Sequence, residues 1–153
     1  MRAVVQRVKK ATLEVNNAVF SSIDKGLVVM LGVMEGDSES QADFLAKKIA
    51  ELRIFTDEND KMNLSATDLK ADIMVVSNFT LGADCRKGRR PYFVYSAKPD
   101  IANVLYEHFV TQLRNDERIG KVSTGQFGEH MEISLVADGP VTICLNTDEI
   151  QKK

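Results

Sequence analysis

The segment Ser134–Leu145 reads SLVADGPVTICL and consists of two strand-type stretches around a Gly-Pro pair. Branched and aliphatic residues dominate both flanks, as is typical of β-strands. Asp138-Gly139 alone would suit a two-residue hairpin turn, but the proline that follows removes a backbone donor and restricts the residue before it. The local pattern therefore favours a tight turn at Gly139-Pro140. The alternative is a cis peptide bond, found at about 5–6% of X–Pro bonds, which would aim two successive carbonyls at a ligand.

Outward from this segment, strand-type patterns dominate both ends of the chain, and two helix-type patterns interrupt them. The strand-type stretches are Ala3–Val8, Ala11–Val15, Ala18–Ile23, Leu27–Val33, Arg53–Phe55, Ile73–Val76, Lys121–Phe127, Glu129–Val136 and Val141–Asn146. Ser38 and Gln41 fit a capping box before one helix, and a second helix begins near Pro99. Its apolar stripe is formed by Ala102, Leu105, Tyr106, Phe109, Val110 and Leu113. This order predicts an α+β fold, in which two main helices pack on a curved, barrel-like, mostly antiparallel sheet.

Composition is that of an ordinary globular protein, with 44% hydrophobic and 27% charged residues. We expect residues 1–153 to form a single domain. The net charge is −2, so any contact with nucleic acid must be local. No apolar run suits a membrane span or a signal peptide, and two isolated cysteines suit a reducing compartment. We therefore expect a cytoplasmic protein with no membrane partner.

Standard catalytic and cofactor motifs are missing from the sequence. Neither Cys85 nor Cys144 has the spacing of a zinc site, and His108 lies off the apolar stripe of its helix. His130 alternates with Met131 and should lie on the opposite face of its strand. No GxSxG, P-loop, GxGxxG or HExxH pattern occurs. We expect neither a metal nor a cofactor.

The segment Ser77–Leu81, SNFTL, is one candidate site, because it surrounds an aromatic residue with small polar side chains at the end of a buried strand. Its backbone N–H groups could stabilise an oxyanion, and Thr80 could position a water or a substrate carbonyl. The alternative is that Phe79 and Leu81 belong to the core. In that case, which the pattern alone favours, the polar residues merely satisfy the strand end.

A basic loop follows this segment directly. It carries four cations and two aromatic residues, namely Arg86, Lys87, Arg89, Arg90, Tyr92 and Phe93. This combination suits contacts with phosphates and stacking on bases, although a solvated loop is the alternative. Its position would place a polyanion anchor next to a site built from SNFTL.

Taken together, these stretches resemble the D-aminoacyl-tRNA deacylase family. The resemblance rests on SNFTL, on the basic loop ending in RRP, and on TGQFGEHMEISLVADGPVT at residues 124–142. The segments MRAVVQRVKKATLEV and LRIFTDENDKMNL are similar to the family as well. The similarity is collinear and covers nearly the whole chain.

The resemblance implies a homodimer that hydrolyses the ester between a D-amino acid, or wrongly attached glycine, and the 3′-terminal adenosine of tRNA. Each site would combine Ser77, Asn78, Phe79 and Thr80 of one subunit with Gly139-Pro140 of the other. The carbonyls of a cis Gly-Pro pair would exclude L-amino acids and so proofread chirality. Because the ester is reactive, water could attack while backbone donors near Phe79 and Thr80 hold the carbonyl oxygen, without a metal.

Arg7 matches a family position that orients the Gly-Pro pair, whereas residue pattern alone would also allow a surface charge at a strand edge. The chain departs from the family at two positions. Asn78 replaces a more frequent glutamine and has a shorter reach, and Ala137 replaces a more frequent asparagine.

Two other functions fit the same residues. One is a non-catalytic binder of the tRNA acceptor end on the same fold, and the other is a dimeric scaffold whose basic loop binds another partner. The presence of Thr80 and Gly139-Pro140 favours the deacylase, and turnover distinguishes it from a binder.

Overall fold

The computed structural model describes residues 1–151, which form eight strands and four helices. The strands are β1 (Arg2–Val15), β2 (Ala18–Ile23), β3 (Gly26–Gly32), β4 (Phe55–Thr56), β5 (Met62–Leu64), β6 (Asp72–Ser77), β7 (Val122–Thr124) and β8 (Glu132–Asn146). The helices are α1 (Glu39–Ala50), α2 (Ala66–Leu69), α3 (Pro99–Arg114) and α4 (Thr147–Ile150). The predicted α+β class is confirmed. No helix within residues 1–151 is long and apolar enough to cross a membrane.

Strand β1 organises the sheet, because it pairs along both of its edges. The two predicted stretches Ala3–Val8 and Ala11–Val15 form this one strand, which pairs with β8 on one edge and with β3 and then β2 on the other. Asn16 and Asn17 make the predicted turn to β2, with φ values of 53° and 60°. Two successive positive φ angles are typical of the hairpin turn whose twist matches that of the strands.

The sheet curls until it is nearly closed. Strands β3, β6 and β7 are parallel neighbours, whereas every pairing of β1 is antiparallel, so the sheet is mostly antiparallel as predicted. Strand β2 meets β7 through side chains: the Ser21 hydroxyl donates to the Thr124 carbonyl at 2.7 Å. The result is the barrel-like sheet that the sequence predicts.

The two main helices connect the parallel strands, as parallel pairing requires. At the start of α1 the Ser38 N–H donates to the Gln41 side chain at 2.9 Å, as the capping box predicts. Helix α3 buries most of its predicted stripe, namely Leu105, Tyr106, Phe109, Val110 and Leu113. The Tyr106 hydroxyl donates to the Val75 carbonyl at 2.8 Å, and burial raises the pKa of this phenol.

The core consists of two apolar clusters on opposite faces of the central strands. Val29 and Leu31 of β3 belong to the cluster under α1 and α3, whereas Val28 and Met30 face the second cluster. Strand β8 contributes side chains to both clusters. Val141, Ile143 and Leu145 pack on the first, and Met131, Ile133 and Leu135, from β8 and the residue before it, pack on the second.

The prediction of a tight turn between two C-terminal strands is wrong. Both flanks of Gly139-Pro140 belong to β8 and pair with the same partner, β1. Gln6 pairs with Thr142 and Val8 with Ala137, so residues 138–141 form a bulge opposite Arg7. The Gly139–Pro140 peptide bond is cis. Local sequence could not distinguish a hairpin from a bulge, because the difference lies in the strand that the two flanks contact.

Candidate active site

The SNFTL segment forms a tight turn at the end of β6. The strand stops at Ser77, and residues Phe79–Gly82 make a single turn of 3₁₀ helix. Phe79 is 60% exposed, so the alternative that placed it in the core is wrong. Its ring instead meets Phe93 of the following loop edge-on, with the ring centres 5.1 Å apart.

Asn78 caps this turn and holds Thr80. The Asn78 side-chain oxygen accepts a hydrogen bond from the Thr80 N–H at 3.1 Å and another from the Thr80 hydroxyl. The shorter side chain of asparagine is therefore long enough for a local contact. The Thr80 hydroxyl donates its single proton to Asn78. Its oxygen can therefore act towards a bound molecule only as a hydrogen-bond acceptor.

The backbone N–H groups of the turn differ in whether they have a hydrogen-bond acceptor. The Thr80 N–H is bound to Asn78, and the Leu81 N–H lies 3.4 Å from the Asn78 carbonyl. The Phe79 N–H has no acceptor among residues 1–151. Among the N–H groups of Phe79, Thr80 and Leu81, it is therefore the one left for a bound molecule.

Two side chains that the sequence analysis missed hold the carbonyls of the turn. The Ser96 hydroxyl donates to the Phe79 carbonyl at 2.6 Å, and the Arg2 guanidinium donates to the Leu81 carbonyl at 2.8 Å. Arg2 lies in the segment MRAVVQRVKKATLEV, but no pattern there marks it as a site residue, and only the folded chain brings Arg2 and Ser96 to the turn. No local sequence signal could have found them.

A cavity of about 850 Å³ opens beside the turn. Ser77–Thr80 line one side, and the start of α3 with residues 127–131 lines another. The ionisable side chains that the structure places in its wall are those of Lys98, Glu129, His130 and the phenol of Tyr106. The other histidine, His108, lies outside the cavity and contacts Asp43 at 2.7 Å. The cavity thus has apolar walls with a few polar groups near the turn, as is common in ligand sites.

The Gly139-Pro140 pair does not reach this cavity within one chain. Both residues are exposed, and neither lines the cavity. A single chain therefore brings together Ser77, Asn78, Phe79 and Thr80, but it leaves the Gly-Pro pair apart from them.

Arg7 lies directly under the bulge that carries this pair. Its Nε donates to the Asp138 carbonyl at 2.9 Å and lies 3.2 Å from the Asp138 carboxylate. A second guanidinium nitrogen donates to the Ile54 carbonyl at 2.6 Å. Arg7 is only 8% exposed, so the alternative of a surface charge is wrong. The side chain ties the bulge to the loop after α1.

The cations of the basic loop are not equivalent. Arg86 forms a two-point ion pair with Asp84 and also donates to the Tyr95 hydroxyl at 2.8 Å. Hydrogen bonds from the side chain and backbone of Arg86 lower the pKa of the Asp84 carboxyl to about 2. The other three cations, Lys87, Arg89 and Arg90, are exposed and form no ion pair among residues 1–151.

Among residues 1–151, no group of three or more His, Cys, Asp or Glu side chains is placed so that it could hold a metal ion. Cys85 and Cys144 are both exposed and form no disulfide.

Comparison with known proteins identifies the family. The sequence profile described as D-Tyr-tRNA(Tyr) deacylase matches residues 4–146. A protein of Thermosipho melanesiensis named D-aminoacyl-tRNA deacylase is 51% identical over 150 residues, covering 98% of this chain and 99% of that protein. The chain therefore belongs to the D-aminoacyl-tRNA deacylase family.

Solved structures share the fold. One described as "c-Myc DNA Unwinding Element Binding Protein" aligns with a TM-score of 0.90 at 37% identity and covers 95% of this chain and 98% of that one. Another, described as "a probable eukaryotic D-amino acid tRNA deacylase", has a TM-score of 0.77 at 19% identity, with coverages of 94% and 97%. At that identity the second likeness concerns the fold alone.

Proposed function

We propose that the protein is a D-aminoacyl-tRNA deacylase, a hydrolase that cleaves the ester bond of D-aminoacyl-tRNA and releases the amino acid and free tRNA. The observation that carries this proposal is the full-length match to the family, with the SNFTL turn lining a cavity. Wrongly attached glycine would be a second substrate. Acting on charged tRNA, the enzyme would proofread translation in the cytoplasm, and residues 1–153 would work as one domain.

The reaction would rely on the backbone of the turn. Water attacks the ester carbonyl, and the Phe79 N–H stabilises the negative charge that develops on its oxygen. Thr80 has no neighbouring base among its hydrogen-bond partners, and an unactivated hydroxyl is a weak nucleophile. We therefore assign Thr80 a positioning role, with the ribose 2′-hydroxyl of the substrate assisting the water.

Chiral selection would come from a second subunit. The cavity of one chain lacks Gly139 and Pro140, and both residues are exposed and available to a partner. In a homodimer their carbonyls would close the partner's cavity on the side where an L side chain would lie. Arg7 would keep the bulge in place through Asp138. Rejection by exclusion works for every side chain, because it depends on handedness and not on side-chain chemistry.

The tRNA would bind along the basic loop and enter the cavity with its 3′ end. Lys87, Arg89 and Arg90 are exposed and suited to backbone phosphates, with Arg86 ordering the loop beside them. Tyr92 is 63% exposed at the end of the loop and offers a stacking surface. The cavity volume of about 850 Å³ is in the usual range for small-molecule sites, so we expect the cavity to receive the terminal adenosine with its aminoacyl group.

The test is a deacylation assay with one tRNA charged separately with D-tyrosine and with L-tyrosine. We expect rapid release of D-tyrosine and no release of L-tyrosine. Release of both amino acids would retain the hydrolase and refute the filter. Release of neither, with the charged tRNA still bound, would identify a non-catalytic binder of the acceptor end.

A further inference from the structure

We propose that Ser96 is a positioning residue of the active site, whose hydroxyl keeps the SNFTL turn in the conformation that presents the Phe79 N–H. This inference rests on the proposed deacylase function. Ser96 lies three residues beyond the basic loop, outside every stretch that the sequence analysis singled out. It also lines the cavity beside the turn.

The hydrogen bonds of one peptide group carry the argument. The Phe79 carbonyl accepts from the Ser96 hydroxyl at 2.6 Å, and the Thr80 N–H of the same peptide group donates to Asn78 at 3.1 Å. A peptide group is planar and moves as a unit. Holding its oxygen and its N–H from opposite ends therefore prevents it from rotating, and a rotation would turn the adjoining Phe79 N–H as well.

Ser96 is itself held firmly. It bridges to Met34 just beyond β3, and the next residue, Ala97, donates its N–H to the Val33 carbonyl at 3.0 Å. The hydroxyl thus extends from a segment joined to the central sheet. It is a fixed point against which the turn can be oriented.

Gly82 permits the close approach of the two segments. A Cβ atom at Gly82 would collide with the Ser96 hydroxyl, and Gly82 is buried. The end of the turn and Ser96 are therefore packed directly against each other. This packing leaves little freedom for the hydroxyl to choose another acceptor.

The bond between Ser96 and Phe79 should matter more for catalysis than for folding. It lies in an exposed region, where water can replace a lost hydroxyl at small cost to stability. Water would satisfy the Phe79 carbonyl without fixing its direction. A small misplacement of a group that acts on the transition state can cost about 100-fold in rate.

The experiment compares two variants of equal shape, Ser96→Thr and Ser96→Val, which differ only in the hydroxyl. Release of D-tyrosine from tRNA is measured under saturating and limiting substrate, with melting temperature as a check on folding. We expect Ser96→Val to lower kcat by about 10- to 100-fold, with KM within about twofold of the parent chain. Ser96→Thr should keep most of the activity, because it retains the donor. Ser22→Ala, an exposed serine on β2, serves as the control.

Each other result overturns the inference. Equal kcat for both variants and the unsubstituted chain would show that the hydroxyl has no catalytic effect. Equal losses in Ser96→Thr and Ser96→Val would assign the effect to shape and not to the hydrogen bond. If the unsubstituted chain itself releases no D-tyrosine, the deacylase function fails, and the role of Ser96 fails with it.

Discussion

Arg7 places a guanidinium in the interior of the protein, where it binds carbonyls of two segments that are far apart in sequence. Ile54 lies in the loop before β4, and Asp138 begins the bulge of β8. Carbonyls that lose a buried donor incur a desolvation penalty, which is about 1–3 kcal/mol per group. The side chain should therefore contribute to stability as well as to the shape of the Gly-Pro bulge.

Replacing Arg7 by methionine tests this role, since methionine keeps the apolar stem and removes the donors. We expect Arg7→Met to lower the free energy of unfolding by about 2–3 kcal/mol, measured by chemical denaturation. Arg53→Met is the matched control. Arg53 also donates to a backbone carbonyl, that of Asn63 at 2.8 Å, but it is exposed, so its loss should cost at most about 0.5 kcal/mol. Similar losses for the two variants would contradict a buried structural role for Arg7.

Single residues were predictable only where they belonged to a recognisable motif. Thr80 was found in the polar strand end SNFTL and Arg7 through the resemblance of its segment to a family, whereas no pattern marks Arg2 or Ser96 as a site residue. Their partners are carbonyl oxygens of the turn, and any residue supplies a carbonyl. Such a contact produces no recognisable sequence pattern, so it can be seen only in the folded structure.

At the scale of the element, the basic loop contains one cation that is paired with a carboxylate and three that have no ion-pair partner among residues 1–151. The pKa of Asp84 is lowered to about 2, so its carboxylate stays charged at neutral pH and the pair with Arg86 is lost only as the pH falls towards that value. Arg86 should therefore stabilise the loop and add little to phosphate binding. Lys87, Arg89 and Arg90 should supply the phosphate contacts.

The salt dependence of tRNA binding distinguishes these roles. Each of the changes Lys87→Ala, Arg89→Ala and Arg90→Ala should reduce the slope of log Kobs against log salt concentration by about 0.7–0.9. Arg86→Ala should leave the slope nearly unchanged. The control is Arg118→Ala, because Arg118 binds Asp116 with the same two-point geometry away from the loop. A drop for Arg86→Ala equal to that of Lys87→Ala would show that Arg86 contacts phosphate.

Elements whose signals are local were predicted well. The capping box at Ser38 and the apolar stripe of α3 depend on residues within a few positions of one another, and both are present in the structure. The two arms of β8 were also recognised as strands. Their union into one strand was missed because both arms pair with β1, more than one hundred residues earlier in the chain.

At the scale of the whole molecule, the proposed site is complete only when two copies of the chain come together. We expect sedimentation to give a mass about twice the 17.0 kDa of one chain. On dilution below the dissociation constant of the dimer, release of L-tyrosine should appear alongside that of D-tyrosine, because separated chains lose the partner's Gly139-Pro140. A monomer that hydrolyses D-tyrosyl-tRNA and rejects L-tyrosyl-tRNA would refute a site shared between subunits.

The bulge in β8 also sets a rule for which changes of chain length this protein can accept. Between the paired positions Gln6–Thr142 and Lys10–Val136, β1 advances four residues and β8 advances six, so β8 carries two extra residues. Across the bulge, β8 changes the cluster that it contacts, because Ile143 packs on the cluster under α1 and α3 and Ile133 packs on the second cluster. Deleting or inserting one residue would make the excess odd and turn one arm's apolar side chains towards solvent. Natural insertions and deletions in this segment should therefore occur in pairs.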